Sequence, residues 1–125
     1  MKKKAIYYED ERNSRPVEEF INGLAPKIKA KVLARIEFLE ERWQELRRPY
    51  VDTLTDGLYE VRVIFSGSQI RVIYAYMLKD YIVLLHGIIK KTSAVPTDDL
   101  LKAKNRMYDF QRRYNKGEIR LLEIE

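Results

Sequence analysis

Glu60, Arg62, Arg71, His86, Lys90 and Lys91 are the residues of this sequence whose types and spacing could do chemistry. Side chains two apart on a strand share a face. If Tyr59, Val61, Val63, Ile70, Val72, Val83, Leu85 and Ile89 point into a core, then Glu60, Arg62, Arg71, His86 and Lys90 share the opposite face. Lys91 stands at the strand end and can swing to either side. Cations from three strands on one surface suit phosphate, because Arg offers a planar fork of donors and Lys a mobile point charge. Such a face could hold a single-stranded RNA backbone or stabilise the extra charge on a pentacoordinate phosphorus. RNA carries its own nucleophile, the 2′-OH, so the protein need supply only a base, an acid for the departing 5′-oxygen and an in-line geometry. Glu60 is the candidate base. His86, with an ordinary pKa of about 6.5, could be acid or base. No metal is required by this scheme.

Each of these residues also has a plain structural reading. Glu60 and Arg62 could simply pair or be solvated. A histidine in an apolar strand is commonly a hydrogen-bonded structural residue. Lys90-Lys91 could be a solvated strand end.

The elements that must position these side chains follow from periodicity. Lys4–Tyr8 reads as a short first strand. Asn13-Ser14 offers a helix N-cap and Pro16 suits a first turn, with Val17, Phe20, Ile21 and Leu24 on one helical face. After Ala25-Pro26, a helix over about Lys27–Arg47 carries the apolar stripe Ile28, Val32, Ile36, Leu39, Trp43 and Leu46. The two form a helical hairpin. Thr55-Asp56-Gly57 marks a turn, and Leu58–Phe65, Gln69–Met77 and Tyr81–Ile89 read as three strands joined at Ser66-Gly67-Ser68 and Lys79-Asp80. A loop over Lys90–Pro96 leads to a last helix from Thr97, with Asp98 and Asp99 in its first turn. Leu100, Ala103, Met107, Phe110 and Tyr114 form its buried face, and Gly117 its stop. Tyr108 is expected in the core, with stacking on a base as the alternative. The tail Glu118–Glu125 either pairs as a strand or hangs free. The fold class is α+β, with the helical hairpin on one face of an antiparallel meander and the other face open.

Composition narrows the function classes. The chain has 125 residues, 46% hydrophobic and 34% charged, which is one globular domain over 1–125. There is no cysteine, so disulfides, thiolate metal sites and a cysteine nucleophile are excluded. A single histidine excludes a multi-histidine metal site. No apolar run approaches the ~20 residues of a membrane span, and Met1-Lys2-Lys3-Lys4 is not followed by a signal-peptide core. A cytoplasmic protein without a membrane partner is expected. The net charge of +5 favours an anionic partner. The basic last helix, with Lys102, Lys104, Arg106, Arg112, Arg113 and Lys116, is either a soluble face or a phosphate track.

Several strings, taken in order, resemble a known family. They are Arg15–Ile21 (RPVEEFI), Asp56–Arg62 (DGLYEVR), Ile70–Tyr74 (IRVIY), Leu84–Thr92 (LLHGIIKKT) followed by Pro96, and then Ala103 and Arg106. Over about residues 5–110 the chain resembles the phage-derived HigB-like branch of the RelE/ParE toxin superfamily. That resemblance implies a RelE-like domain, with two N-terminal helices packed on one face of a twisted antiparallel sheet and a C-terminal helix. It implies the toxin of a type II toxin–antitoxin system, a ribosome-dependent mRNA endonuclease needing no cofactor. Cleavage would leave a 2′,3′-cyclic phosphate or 3′-phosphate and a 5′-OH. The partners implied are mRNA on the ribosome and a cognate helix-turn-helix antitoxin. The matching active-site cations are Arg62, Arg71, Lys90 and Lys91, with Glu60 and His86 beside them. Two alternatives stand: a ParE-like toxin that binds DNA gyrase, and a non-catalytic RNA- or ribosome-binding module.

Overall fold

The computed structural model describes residues 1–90, 94–119 and 121. In chain order the elements are β1 (Lys4–Tyr7), α1 (Pro16–Asn22), α2 (Pro26–Arg42), β2 (Val51–Thr53), β3 (Tyr59–Phe65), β4 (Ser68–Met77), β5 (Tyr81–Lys90) and α3 (Thr97–Asn115). The strands form one sheet in the order β1-β5-β4-β3-β2. β3, β4 and β5 are the expected antiparallel meander. β1 joins its outer edge in parallel to β5, and β2 pairs antiparallel with β3 at the other edge. The fold is therefore α+β, with three helices and a five-stranded mixed sheet among the described residues.

Local chemistry explains the joints. Phe65 pairs with Ser68, leaving Ser66 and Gly67 as a two-residue turn with φ of 48° and 79°. Positive φ at both positions matches the right-handed twist of the flanking strands, and glycine adopts it without a Cβ clash. α3 ends as expected at Gly117, φ 73°. The amides of Glu118 and Gly117 donate to the carbonyls of Arg113 and Tyr114, which closes the last turn. α1 begins at Pro16, but Arg15 and not Asn13 or Ser14 is its N-cap, and no side chain caps it. α2 is shorter than its apolar stripe. It stops at Arg42, and Trp43 instead donates its indole N–H to the Met1 carbonyl and packs on Tyr76 at 5.4 Å.

The core has two halves, one on each side of the sheet. α1 and α2 cover the first, burying Val17, Ile21, Val32, Ile36 and Leu39 against Val61, Val63, Ile70, Val72, Tyr74, Ile82 and Leu84. α3 covers part of the second, burying Ala103 and Phe110 against Ile6, Tyr8, Ile73, Ala75, Val83 and Leu85. The sheet thus lacks the uncovered second face expected from the meander. A ten-residue strand with both faces apolar, such as the Tyr81–Lys90 run, demands cover on both sides. Polar contacts fix α3 there. Tyr8 Oη donates to Asp109 at 2.6 Å, and Arg113 donates to the Glu9 carbonyl.

Three orientations differ from expectation. Val83 and Leu85 point toward α3, while Leu84 points toward the helical hairpin. The cause is an irregularity in β5: Tyr74 pairs with Leu84 but Ile73 with His86, so Leu85 is an extra residue. A bulge of this kind places neighbouring side chains on one face and resets the alternation beyond it. Tyr108 is 56% exposed and Tyr114 is 40% exposed, so neither belongs to the core. Of the tail Glu118–Glu125, residues 120 and 122–125 lie outside the described residues.

Candidate functional site

Pairing register brings five of the six sequence candidates to one face. Arg62 lies directly opposite Arg71, which lies opposite Ile88. Glu60 lies opposite Ile73, which lies opposite His86. Lys90 lies opposite Gln69 on the same face. Glu60 and His86 are thus two strand spacings apart, about 10 Å. Lys91 lies outside the described residues. The bulge at Leu85 is what puts His86 here. An unbroken alternation from Val83 would send it to the hairpin side.

The face is not the open array of cations that alternation predicts. It is a charge-matched network. Glu60 Oε1 accepts from Arg62 Nε at 2.5 Å and lies 3.4 Å from Arg71 Nη1. Arg62 Nη2 donates to Asp52 Oδ2 at 2.8 Å, and Arg71 donates to Gln69 Oε1 through Nη2 at 2.5 Å. Glu60 and Arg71 have essentially no accessible surface, at 1% and 0% for their side chains, whereas Arg62 keeps 18%. Buried charges survive only when paired and hydrogen-bonded, and here the pairing is mutual. Burial brings an asymmetry: Glu60 Oε2 accepts no hydrogen bond among the described residues.

His86 is held from α3. Its Nε2 is 2.6 Å from Asp99 Oδ1, and its Nδ1 is 3.2 Å from Arg106 Nη1. A guanidinium can only donate, so Nδ1 accepts. The proton therefore sits on Nε2 and is donated to Asp99, and the ring is neutral. Burial, the largest influence, pushes the imidazole pKa below its ordinary value; the hydrogen bond donated to Asp99 opposes this and the Arg106 charge adds to it. Arg106 Nη1 also donates to the Leu85 carbonyl at 2.8 Å, at the bulge itself. Both ring nitrogens are thus committed within the protein. That is the structural reading of the histidine, and it leaves no lone pair for a substrate in this conformation.

Three participants escaped sequence reasoning. Asp99 read only as a dipole partner in a first helical turn. Arg106 read as one of several cations on a basic helix. Asp52 sits in a three-residue strand whose pairing no local pattern announces. All three depend on contacts distant in sequence.

Comparison with known proteins identifies a family. The family model described as phage-derived protein Gp49-like (DUF891) matches residues 19–108. The chain belongs to this family. The matched span of the Gp49-like chain runs from α1 into α3 and includes all six sequence candidates as well as Asp52, Asp99 and Arg106. No curated protein matches it. Among the described residues of the Gp49-like chain, no helix is long and apolar enough to cross a membrane.

Proposed function

We propose that this Gp49-like chain is the toxin of a type II toxin–antitoxin pair, acting in the cytoplasm as an mRNA endonuclease on the ribosome. The observation that carries the reading is the direct cross-strand pairing of Arg62 with Arg71, with Glu60 shared between them. The similarity to HigB-like and RelE-like toxins in the strings around these residues supports it. Arg62 is the guanidinium that meets solvent, and a phosphodiester would take the place of Asp52 on its Nη2. Lys90, on the same face, supplies a second charge. When Arg62 turns to phosphate, Glu60 is released to accept the 2′-OH proton. The O2′–P bond forms, the P–O5′ bond breaks and the 5′-oxygen takes up a proton from water, leaving a 2′,3′-cyclic phosphate and a 5′-OH. Arg71 holds Glu60 and stabilises charge from beneath. His86 serves as a positioning residue that ties β5 to α3. A helix-turn-helix antitoxin encoded beside the toxin would neutralise it.

The test is primer extension on mRNA from cells expressing the protein. Stops inside reading frames, together with growth arrest relieved by Arg62→Ala, are expected. Growth arrest with intact mRNA overturns the nuclease reading.

One observation favours a second reading. Glu60 and Arg71 are shut from solvent, and His86 is fully engaged within the protein. A site closed in this way suits a toxin that works by binding a protein target, as ParE-like toxins bind DNA gyrase. DNA cleavage complexes and an SOS response, with mRNA unaffected, would identify it. Salt-sensitive RNA binding without cut products would instead identify a non-catalytic RNA-binding module.

A further inference from the structure

At the outer edge of the sheet, where β2 begins, one aromatic ring stands among guanidinium groups. Tyr50 is 47% exposed. The Arg35 guanidinium lies over its ring at 4.4 Å from the centroid. Arg35 Nη1 also donates to the Arg62 carbonyl at 2.8 Å, and the Arg62 amide donates to the Tyr50 carbonyl at 2.8 Å. The ring is therefore tied through main-chain bonds to the most exposed arginine of the candidate site. Arg48, with a side chain 78% exposed, meets Asp52 at 3.1 Å, and Asp52 in turn holds Arg62. The cluster counts three guanidinium groups, Arg35, Arg48 and Arg62, against two carboxylates, Asp52 and the buried Glu60. Farther along β3, Lys31 lies over Phe65, with Ile64 exposed beside it.

We propose that Tyr50, backed by Arg35, is a stacking site for an unpaired base of single-stranded RNA whose phosphates pass Arg62 and Arg48. This rests on the RNA reading given above and extends it to a base-contacting position outside the arginine–carboxylate network. The chemistry is specific to such a ligand. An exposed ring held flat by a cation on one side offers a π-face to a base, and the surrounding guanidinium groups match the phosphates on either side of it. Every base has such a face, so the site tolerates sequence. A surface cation–π pair alone would account for Arg35 and Tyr50. It does not account for two further guanidinium groups, or for main-chain ties to Arg62.

The experiment is anisotropy titration of a short labelled oligouridylate with the full-length protein at several salt concentrations. Tyr50→Ala should weaken binding about fivefold or more without changing the salt slope. Tyr50→Phe should bind like the parent, because the ring and not the hydroxyl does the stacking. Arg48→Ala should lower the log–log salt slope by about 0.7, one phosphate contact. If Tyr50→Ala binds as tightly as the parent, or Tyr50→Phe loses as much as Tyr50→Ala, the stacking site is wrong while RNA binding stands. If the parent binds no oligouridylate at low salt, the RNA reading fails and takes the stacking site with it. Equal displacement of the RNA by polyglutamate and by unlabelled oligouridylate would mark a surface for acidic protein partners and overturn the proposal. Tyr50 is half exposed, so circular dichroism should report an unchanged fold for both of its variants.

Discussion

Arg62 and Arg71 face each other across β3 and β4, and a single carboxylate oxygen, Glu60 Oε1, lies within 3.4 Å of both guanidinium groups. Two like charges at opposed strand positions would repel; Glu60 turns them into a stable pair. Glu60→Leu leaves a fully buried Arg71 without that partner. It should destabilise the protein by about 3–5 kcal/mol, the cost of breaking a buried ion pair from one side. Urea denaturation would check this, and a loss under 1 kcal/mol would mean that the network is not what holds Arg71.

The two arginines should separate in function. Arg62 keeps solvent contact and Arg71 has none. Arg62→Ala should therefore give folded, soluble protein with reduced toxicity. Arg71→Ala should reduce toxicity by lowering the amount of folded protein. Soluble yield and thermal melts measured alongside growth would tell the two apart.

His86 is the only histidine, so between about pH 5.5 and 7 it dominates the pH dependence of stability. Its folded-state pKa is depressed, chiefly by burial. In that window the unfolded state binds more protons than the native state, so stability rises with pH. The full contribution is present above about pH 6.5, the ordinary imidazole value, and is lost as pH falls toward the native one. Melting temperature should drop on acidification through this window, and His86→Gln should flatten the drop. An equal slope in the variant would show that another group is responsible.

Gly87 lets α1 reach the sheet. A Cβ at this position would lie 2.3 Å from Phe20 Cδ2 and 2.7 Å from Phe20 Cγ. Gly87→Ala should cost about 1–3 kcal/mol through overpacking. Adding Phe20→Leu should recover part of that loss, which a double-mutant cycle would measure as coupling.

The β3–β4 turn is open to improvement. Ser66 sits at φ 48° ahead of Gly67 at φ 79°. Asn tolerates this region better than Ser, so Ser66→Asn should stabilise by a few tenths of a kcal/mol. Gly67→Ala should cost about 1–2 kcal/mol by forcing a Cβ into left-handed backbone. Chemical denaturation of the pair should show opposite signs.

Much of this protein is determined by patterns that a short window of residues contains. The strands β3 and β4, with Glu60, Arg62 and Arg71 on one face, follow from strict alternation, because a pleated strand has period two. α3 and its stop at Gly117 follow from helical spacing and from the one residue type that takes positive φ freely. Only the tertiary structure decided the rest. The bulge at Leu85 turned Val83 and Leu85 to the α3 side while His86 kept the arginine face that alternation assigns it, and nothing in Val83–Ile88 distinguishes the regular strand from the bulged one, since either face is apolar there. Asp52, Asp99 and Arg106 came from elements chosen by packing, not by local preference. Whether a charge is exposed or buried depends on what lies over it. α3 settled beside this face because the apolar first half of β5 needed cover, and the charges of Glu60, Arg71 and His86 found partners inside the protein instead of in water.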